Sequence, residues 1–315
     1  MVYDKPTPDT RAIAQWLESR LGVIEGLSAL EGGFWSSAYA FRAGTDDLIL
    51  RLSDVAESFD IDAAAMAFAG PDLPVPEVVE RGEALGHQFA LSRRHYGQFV
   101  ELAPASAGDA VGNALAGLLR SLRAVPAPED RGAYWYANEK VSWREALVSA
   151  VTDSPERMSS GWSETLRRHP RECAVFEAAR ARMDELLPFC PERQDLVHSD
   201  LLHQNVLVDS AWATVTGVFS WKCSMLGDFL YDVAWCTFWS AWHPGIAAAN
   251  LWERTCAAED LDRDALITAA ERHHCYELQV AASHFGWNVW TGDFEELTRL
   301  ADETQRLLER GPRAA

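Results

Sequence analysis

The sequence predicts an α+β fold in two parts, a small β-rich part over residues 1–94 and a large helical part over residues 95–315. Three observations lead there. Short apolar runs separated by Gly, Asp and Pro turns dominate the first hundred residues, the pattern of a strand meander. Apolar residues at helical spacing dominate the remainder. A chain of 315 residues is also long enough to bury a large core and to divide into two lobes.

The elements follow in order. Pro8-Asp9-Thr10 supplies capping residues for a first helix, in which Ile13, Trp16, Leu17 and Leu21 recur on one face and Gly22 is the stop. Residues 27–31, 35–43 and 47–53 read as strands, with Gly44-Thr45-Asp46 as a hairpin signal between the last two. A helical pattern over 55–69 ends at Pro71, Pro74 and Pro76, and strand-like runs return at 77–81 and 88–93. Beyond the boundary, 108–124, 141–152 and 171–187 are amphipathic, and the turn-rich stretch 125–140 reads as a loop. An island of short apolar runs lies between 195 and 221. Helical patterns then resume at 230–242, 246–258, 264–281 and 294–310.

Charge narrows the function. There are 28 Lys plus Arg against 47 Asp plus Glu, a net charge of −19. Nucleic-acid binding rests on neutralising phosphates with cationic side chains, so this balance argues against a nucleic-acid partner and against an anionic membrane surface. The same field favours a cationic small molecule. Three of the 28 cations are lysine: Lys5, Lys140 and Lys222. The six cysteines show no CxxC spacing and read as reduced thiols, and the N-terminus lacks the apolar core of a signal peptide, so the expected location is cytoplasmic. Oligomeric state is not legible.

The island carries the strongest chemical signal, His198-Ser199-Asp200-Leu201-Leu202-His203-Gln204-Asn205. His-x-Asp-x4-Asn ahead of an apolar strand is a spacing that phosphoryl transfer can use. The aspartate accepts the proton of an attacking hydroxyl, and the asparagine offers an oxygen to Mg²⁺. The competing reading is a polar loop between two strands. Two further features bear on the choice. Small residues in the turn around Gly32, Gly33 and Ser36 would let backbone N–H groups approach a phosphate. Arg51 stands among the apolar residues of the third strand and needs a partner, either nucleotide phosphate together with the helix carboxylate of Asp62, or water at an edge.

Taken together, these residues resemble the aminoglycoside phosphotransferases, and within them the hygromycin branch. The resemblance runs through Leu50-Arg51, Leu73-Pro74-Val75-Pro76-Glu77-Val78, Ser92-Arg93-Arg94 with Gly97, Ser142-Trp143-Arg144, the loop 198–205, and Gly227-Asp228-x-x-Tyr231-Asp232-Val233-Ala234. It implies a bilobal protein-kinase-like fold that uses ATP or GTP with Mg²⁺. It implies Asp200 as the catalytic aspartate, Asn205 as a metal ligand, and Arg51 at the nucleotide phosphates. Residues 91–95, with Ser92 and Arg93, match the strand where adenine binds through backbone groups. Asp228 matches an aspartate that braces the loop region, and is grouped with Trp235 and Trp239 on the acceptor side. That family usually has lysine where Arg51 stands, while the hygromycin branch resembles this chain in having arginine.

One position departs from the pattern. The family's strand after the catalytic loop ends in Ile-Asp-Trp, and its aspartate holds metal. Here the strand reads Val218-Phe219-Ser220-Trp221, with Ser220 at the metal position. Serine brings one neutral oxygen where Mg²⁺ is usually held by carboxylates. Three readings stay open: a divergent kinase holding metal with Asn205 and with or without the carboxylate of Asp209 or Asp228, a binding protein that transfers nothing, or an enzyme using Asp200 for a different reaction. Trp235, Trp239 and Trp242 share one helix face, either as an aromatic wall beside an acceptor or as core packing. Trp287 and Trp290 divide the same way. His203 reads as a hydrogen-bond donor to a phosphate or as a loop filler, His273-His274 as surface or core histidines, and the acidic run 259–264 as a solvated helix junction.

Overall fold

The computed structural model describes residues 3–55, 57–126, 142–259 and 263–313. Most of the predicted loop 125–140 and residues 260–262 of the acidic run lie outside the described residues. The chain divides into two compact units. One holds Tyr3–Val100 and Leu202–Cys223, and the other holds Glu101–Leu201 and the residues from Ser224 onward. Residues 202–223, which the sequence pattern left with the helical part, therefore cluster with the first hundred.

Elements take the following labels in chain order. Helix α1 is Thr10–Leu21, followed by strands β1 (Ile24–Leu30), β2 (Ser37–Ala43) and β3 (Asp46–Ser53), helix α2 (Glu57–Ala65), and strands β4 (Val78–Ala84), β5 (His87–Arg93) and β6 (Gln98–Phe99). Then come α3 (Gly108–Ala124), α4 (Trp143–Ala150), α5 (Trp162–Leu166), α6 (Pro170–Leu186), β7 (Asp195–Val197), β8 (Val206–Val208), β9 (Val215–Val218) and β10 (Met225–Gly227). The chain finishes with α7 (Leu230–Trp239), α8 (Pro244–Ala247), α9 (Leu251–Glu259), α10 (Arg263–Thr291) and α11 (Phe294–Arg310).

In the first unit β1–β5 form an antiparallel sheet of five strands in the order β1-β2-β3-β5-β4. Two tight hairpins set its register. Ala43 faces Asp46 across a two-residue turn with Gly44 at φ +60°, and Ala84 faces His87 across Leu85 and Gly86, at φ +56° and +82°. Left-handed backbone at the first turn residue, as at Gly44, or at both, as at Leu85 and Gly86, matches the twist of the strands it joins. Alternation sends Leu48, Leu50 and Leu52 of β3 into a core with Phe41, Phe89 and Leu91, closed by Ile13 and Leu17 of α1. That alternation leaves Arg51 on the opposite face. Strand β8 pairs with both β6 and β9, which is why the 202–223 segment belongs here.

The second unit is helical around α10, which runs 29 residues and packs against α4, α5, α6, α7 and α11. Tyr276, Leu278, Val280, Ala281, Ala282 and Phe285 of α10 are fully buried. Its period continues past 281, so Trp287 and Trp290 are helical. The pattern over 246–258, which reads as one helix, is in fact two. Gly108 and Gly112 of α3 press against the backbone of Ala248 and Ala249, where a Cβ would collide. The carbonyl of Ala249 is freed from the helical ladder and accepts from Arg254 Nε at 2.8 Å, and Asn250 turns at φ +50°. A capping box starts α4. Ser142 Oγ accepts from Glu145 N at 3.2 Å, and the Glu145 carboxylate accepts from Ser142 N at 2.7 Å. Strands β7 and β10 form a small antiparallel pair that carries the chain to and from the catalytic-type loop. Among the described residues no helix is long and apolar enough to cross a membrane.

Candidate functional site

In the first unit the turn after β1 holds Gly32 at φ +101° and Gly33 at φ +65°, conformations that favour glycine. A Cβ on Gly32 would overlap the side-chain carbonyl of Gln204, so the turn and the loop before β8 approach closely at this point. The turn is strapped by the N-terminal segment. Lys5 Nζ donates to the carbonyls of Gly32 and Gly33, each at 2.9 Å, and Tyr3 Oη donates to the carbonyl of Trp35 at 3.0 Å. Ser36 sits half-buried within the same turn.

Arg51 finds its partner inside the protein. Its Nη2 lies 2.6 Å from Asp62 Oδ2, with the two side chains 21% and 7% exposed, and its guanidinium stacks on Phe59 at 5.1 Å. The other oxygen of Asp62 accepts from Trp221 N at 2.8 Å. One carboxylate of α2 thus fixes both β3 and the segment that follows β9.

That segment is the departure from the family pattern. Phe219 N donates to Asn205 O at 2.9 Å, and Ser220 sits at φ +60° before a 3-10 turn over Trp221–Cys223. Lys222 in that turn places Nζ 4.6 Å from the centre of the Trp35 ring. Asn205 is buried, while His203 and Gln204 are exposed, at φ +60° and +67°. Ser92 is buried on β5. Arg93 lies on the surface, held by Asp46 and Glu77 at 2.8 Å each. The amide of Arg93 donates to Glu77 O and that of Arg94 to Asp47 O, so these two N–H groups are committed to the sheet.

In the second unit the loop after β7 is held from behind by Asp232, a residue for which the sequence reading gave no role. Its Oδ2 accepts from His198 N and its Oδ1 from Ser199 N, both at 2.8 Å. Burial pushes the Asp232 carboxyl up to about 7 against the pull of these two bonds, and the charge of Asp200 pushes the same way. His198 Nδ1 accepts from Asp200 N at 3.3 Å. Asp200 itself is half-buried, and Ser199 is at φ +57°. His203, Gln204 and Ser220 of the first unit and Ser199 of the second are all non-glycine residues in left-handed backbone. Such strain clusters at working sites. A sequence signal for Asp232 existed, since it is an acid in the first turn of the otherwise apolar helix LYDVAWCTFW.

The acceptor-side residues need correction. Asp228 is fully buried, accepting from Tyr276 Oη at 3.0 Å and from Leu230 N at 3.2 Å, with Arg272 Nε at 3.3 Å. Burial raises its carboxyl, and Arg272 is the main opposing influence. It braces β10 and α10 and presents nothing outward. Trp235 and Trp239 are 6% and 5% exposed and pack on each other and on His284. Both rings lie in the interior, where α7 packs on α10. Trp242, Trp287 and Trp290 are half-buried; Arg299 lies over the Trp242 ring at 4.7 Å, and Trp287 and Trp290 pack on each other at 5.3 Å. His273 and His274 are both fully buried.

Comparison with known proteins places this geometry. Residues 26–267 match the phosphotransferase enzyme family. Hygromycin-B 4-O-kinase of Escherichia coli is 26% identical over 301 residues, 93% of this chain and 83% of that protein. A thermostable mutant of aminoglycoside phosphotransferase APH(4)-Ia, solved with AMP-PNP and hygromycin B, superimposes at TM-score 0.77 and 22% identity, covering 95% of this chain and 98% of that one. Spectinomycin phosphotransferase APH(9)-Ia, solved with ADP and spectinomycin, gives TM-score 0.59 at 13% identity, covering 94% of this chain and 98% of that one.

Proposed function

Since the chain belongs to the phosphotransferase enzyme family, we propose that it transfers the terminal phosphoryl group of a nucleoside triphosphate to a hydroxyl of a small cationic acceptor of the aminoglycoside class. The observation that carries this reading is the pinning of the His198 and Ser199 amides, next to Asp200, by Asp232. Both carboxylate oxygens are spent on loop amides, so the loop is held where Asp200 can act on a bound hydroxyl. Residues 1–94 form the core of the nucleotide-binding part, with the glycine turn and Arg51 toward the phosphates and the β5 region toward the base. Residues 95–315 supply Asp200 and most of the acceptor surface. The net charge of −19 supports a cationic acceptor, and the hygromycin kinase among its relatives supports the same class. Of the half-buried tryptophans, Trp287 and Trp290 are the candidates on which a sugar ring or an ammonium group would rest.

Asp200 has two tasks. It orients the acceptor hydroxyl for in-line attack, and it takes the proton as the new O–P bond forms and the bond to the nucleoside diphosphate breaks. ATP and GTP both fit the turn's recognition of phosphate. The test is nucleotide consumption by the purified protein with hygromycin B and a panel of aminoglycosides, against Asp200→Ala. Acceptor-dependent diphosphate release that falls by about a thousandfold in the variant is expected for loss of both tasks. Turnover with no acceptor, or turnover equal in the two proteins, would remove the phosphotransferase reading.

A further inference from the structure

A nucleoside triphosphate brings several negative charges to its site, and the family answers them with a divalent cation on an aspartate. The donors in this chain do not fit that ion. Mg²⁺ takes near-octahedral oxygen ligands and is usually held by one or two carboxylates. At the end of β9 the available side chains are Asn205 and Ser220, both neutral. Three other carboxylates are spent elsewhere. Asp62 holds Arg51 and the Trp221 amide, and Asp209 holds the amides of Ala213 and Thr214 at 2.9 and 3.3 Å. Asp228 belongs to the other unit and is fully buried among Tyr276, Arg272 and Leu230. Among the described residues no group of three or more His, Cys, Asp or Glu is disposed to hold a metal.

A cation of another kind lies two residues further along the chain from Ser220. Arginine is the ordinary cation of this sequence and lysine is rare, yet two of its three lysines converge on the glycine turn. Lys5 is committed to the carbonyls of Gly32 and Gly33. Lys222 follows Ser220 by two residues and reaches Trp35. Its backbone is positioned by the preceding amide, which Asp62 holds at 2.8 Å. An ammonium is a compact point charge with three donors, closer to a metal ion in shape and charge density than a planar guanidinium is.

We propose that Lys222 replaces the divalent cation, so that the glycine turn binds the phosphates of a nucleoside di- or triphosphate without metal. This rests on reading the first unit as the nucleotide-binding part. Lys222 would meet the phosphate oxygens directly, with turn amides completing the cradle.

The test is calorimetric titration of ADP and of AMP-PNP into the full chain, in excess EDTA and in excess MgCl₂. The dissociation constants are expected to agree within about threefold between the two conditions, and Lys222→Met is expected to weaken both by about tenfold or more, the usual cost of losing a charged hydrogen bond. Lys222→Arg, which keeps the charge but spreads it over a plane, should bind more tightly than Lys222→Met and less tightly than the wild type, and shows that the loss is not misfolding. In Ser220→Asp/Lys222→Ser, affinity should become dependent on Mg²⁺ by about tenfold; aspartate tolerates the left-handed backbone at 220 at least as well as serine does. Wild-type binding that disappears in EDTA, or a Lys222→Met protein that binds as tightly as the wild type, would overturn the proposal. The outcomes separate from those of the transferase assay. Metal-free binding without turnover on any acceptor upholds Lys222 and refutes transfer, whereas turnover with strictly Mg²⁺-dependent binding does the reverse. No binding in either buffer overturns the proposal outright.

Discussion

Replacing Asp232 by asparagine tests the support of the catalytic-type loop. Asp232 is 2% exposed and its two oxygens accept from His198 N and Ser199 N at 2.8 Å. Asparagine keeps one acceptor but turns an NH₂ group toward the second amide, so one buried N–H is left opposed by a donor. That costs about 1–3 kcal/mol. Against this stands the charge. The carboxyl rises from 3.8 to about 7 on folding, mainly through burial. Its folded form therefore holds the proton more tightly than its unfolded form does. Stability is greatest below the unfolded value and falls as pH rises through about 7, and a shift of about three units corresponds to about 4 kcal/mol across the window. The amide has no such dependence. Asp232→Asn should be less stable than the wild type near pH 4.5, and the gap should close and then reverse toward pH 8. Urea unfolding of both proteins across this range isolates the effect, because every other titrating group is common to the two. A difference that stays constant with pH would refute the reasoning, since it would mean that the carboxylate keeps its ordinary affinity for protons inside the protein.

Two further perturbations follow from buried ion pairs. Arg51→Met leaves the 7% exposed carboxylate of Asp62 with the Trp221 amide alone, and should cost about 3 kcal/mol by urea unfolding; a loss below about 1 kcal/mol would mark the pair as solvated. Glu277, 1% exposed, meets Arg310, Arg313 at 3.1 Å and the Thr237 hydroxyl at 2.8 Å. Burial opposes its ionisation, but His273, Arg313 and Arg310 outweigh it and hold the group at about 2. Its contribution is thus present above about 4.5 and lost as pH falls toward about 2. Glu277→Gln should cost about 3–5 kcal/mol at pH 7 and blunt acid unfolding in that window, read by circular dichroism; an unchanged acid transition would contradict it.

The parts of this molecule that were legible in the sequence are those with local causes. Strands β2, β3 and β5 follow from alternation, α1 from Asp9 and Gly22, and α11 from Leu297, Leu300, Ala301, Thr304 and Leu307 at helical spacing. Arg51 demanded a carboxylate, and Asp62 on the next helix provides it. What was not legible depends on distant partners. Strands of two to four residues such as β6, β8 and β9 carry too little pattern to reveal that they pair, so the return of 202–223 to the first unit could not be read. The break before α9 is imposed by α3 through two glycines. The tryptophans of α7 share a face, but a face says nothing about whether another helix covers it. Asp232 was visible only as an acid in the wrong company, and its two amide partners lie more than thirty residues upstream.

The strap across the glycine turn has a practical side. Tyr3 and Lys5 hold three carbonyls of that turn, and Ser37 Oγ donates to the carbonyl of Pro6, so the leading residues act as a splint for the loop they cross. A purification tag joined there, or a few residues trimmed by a protease, would loosen the splint and change how the loop receives a ligand while the rest of the molecule stayed intact. Ligand affinities from differently tagged preparations would then disagree for a mechanical reason, and an untagged leading segment is the appropriate reference.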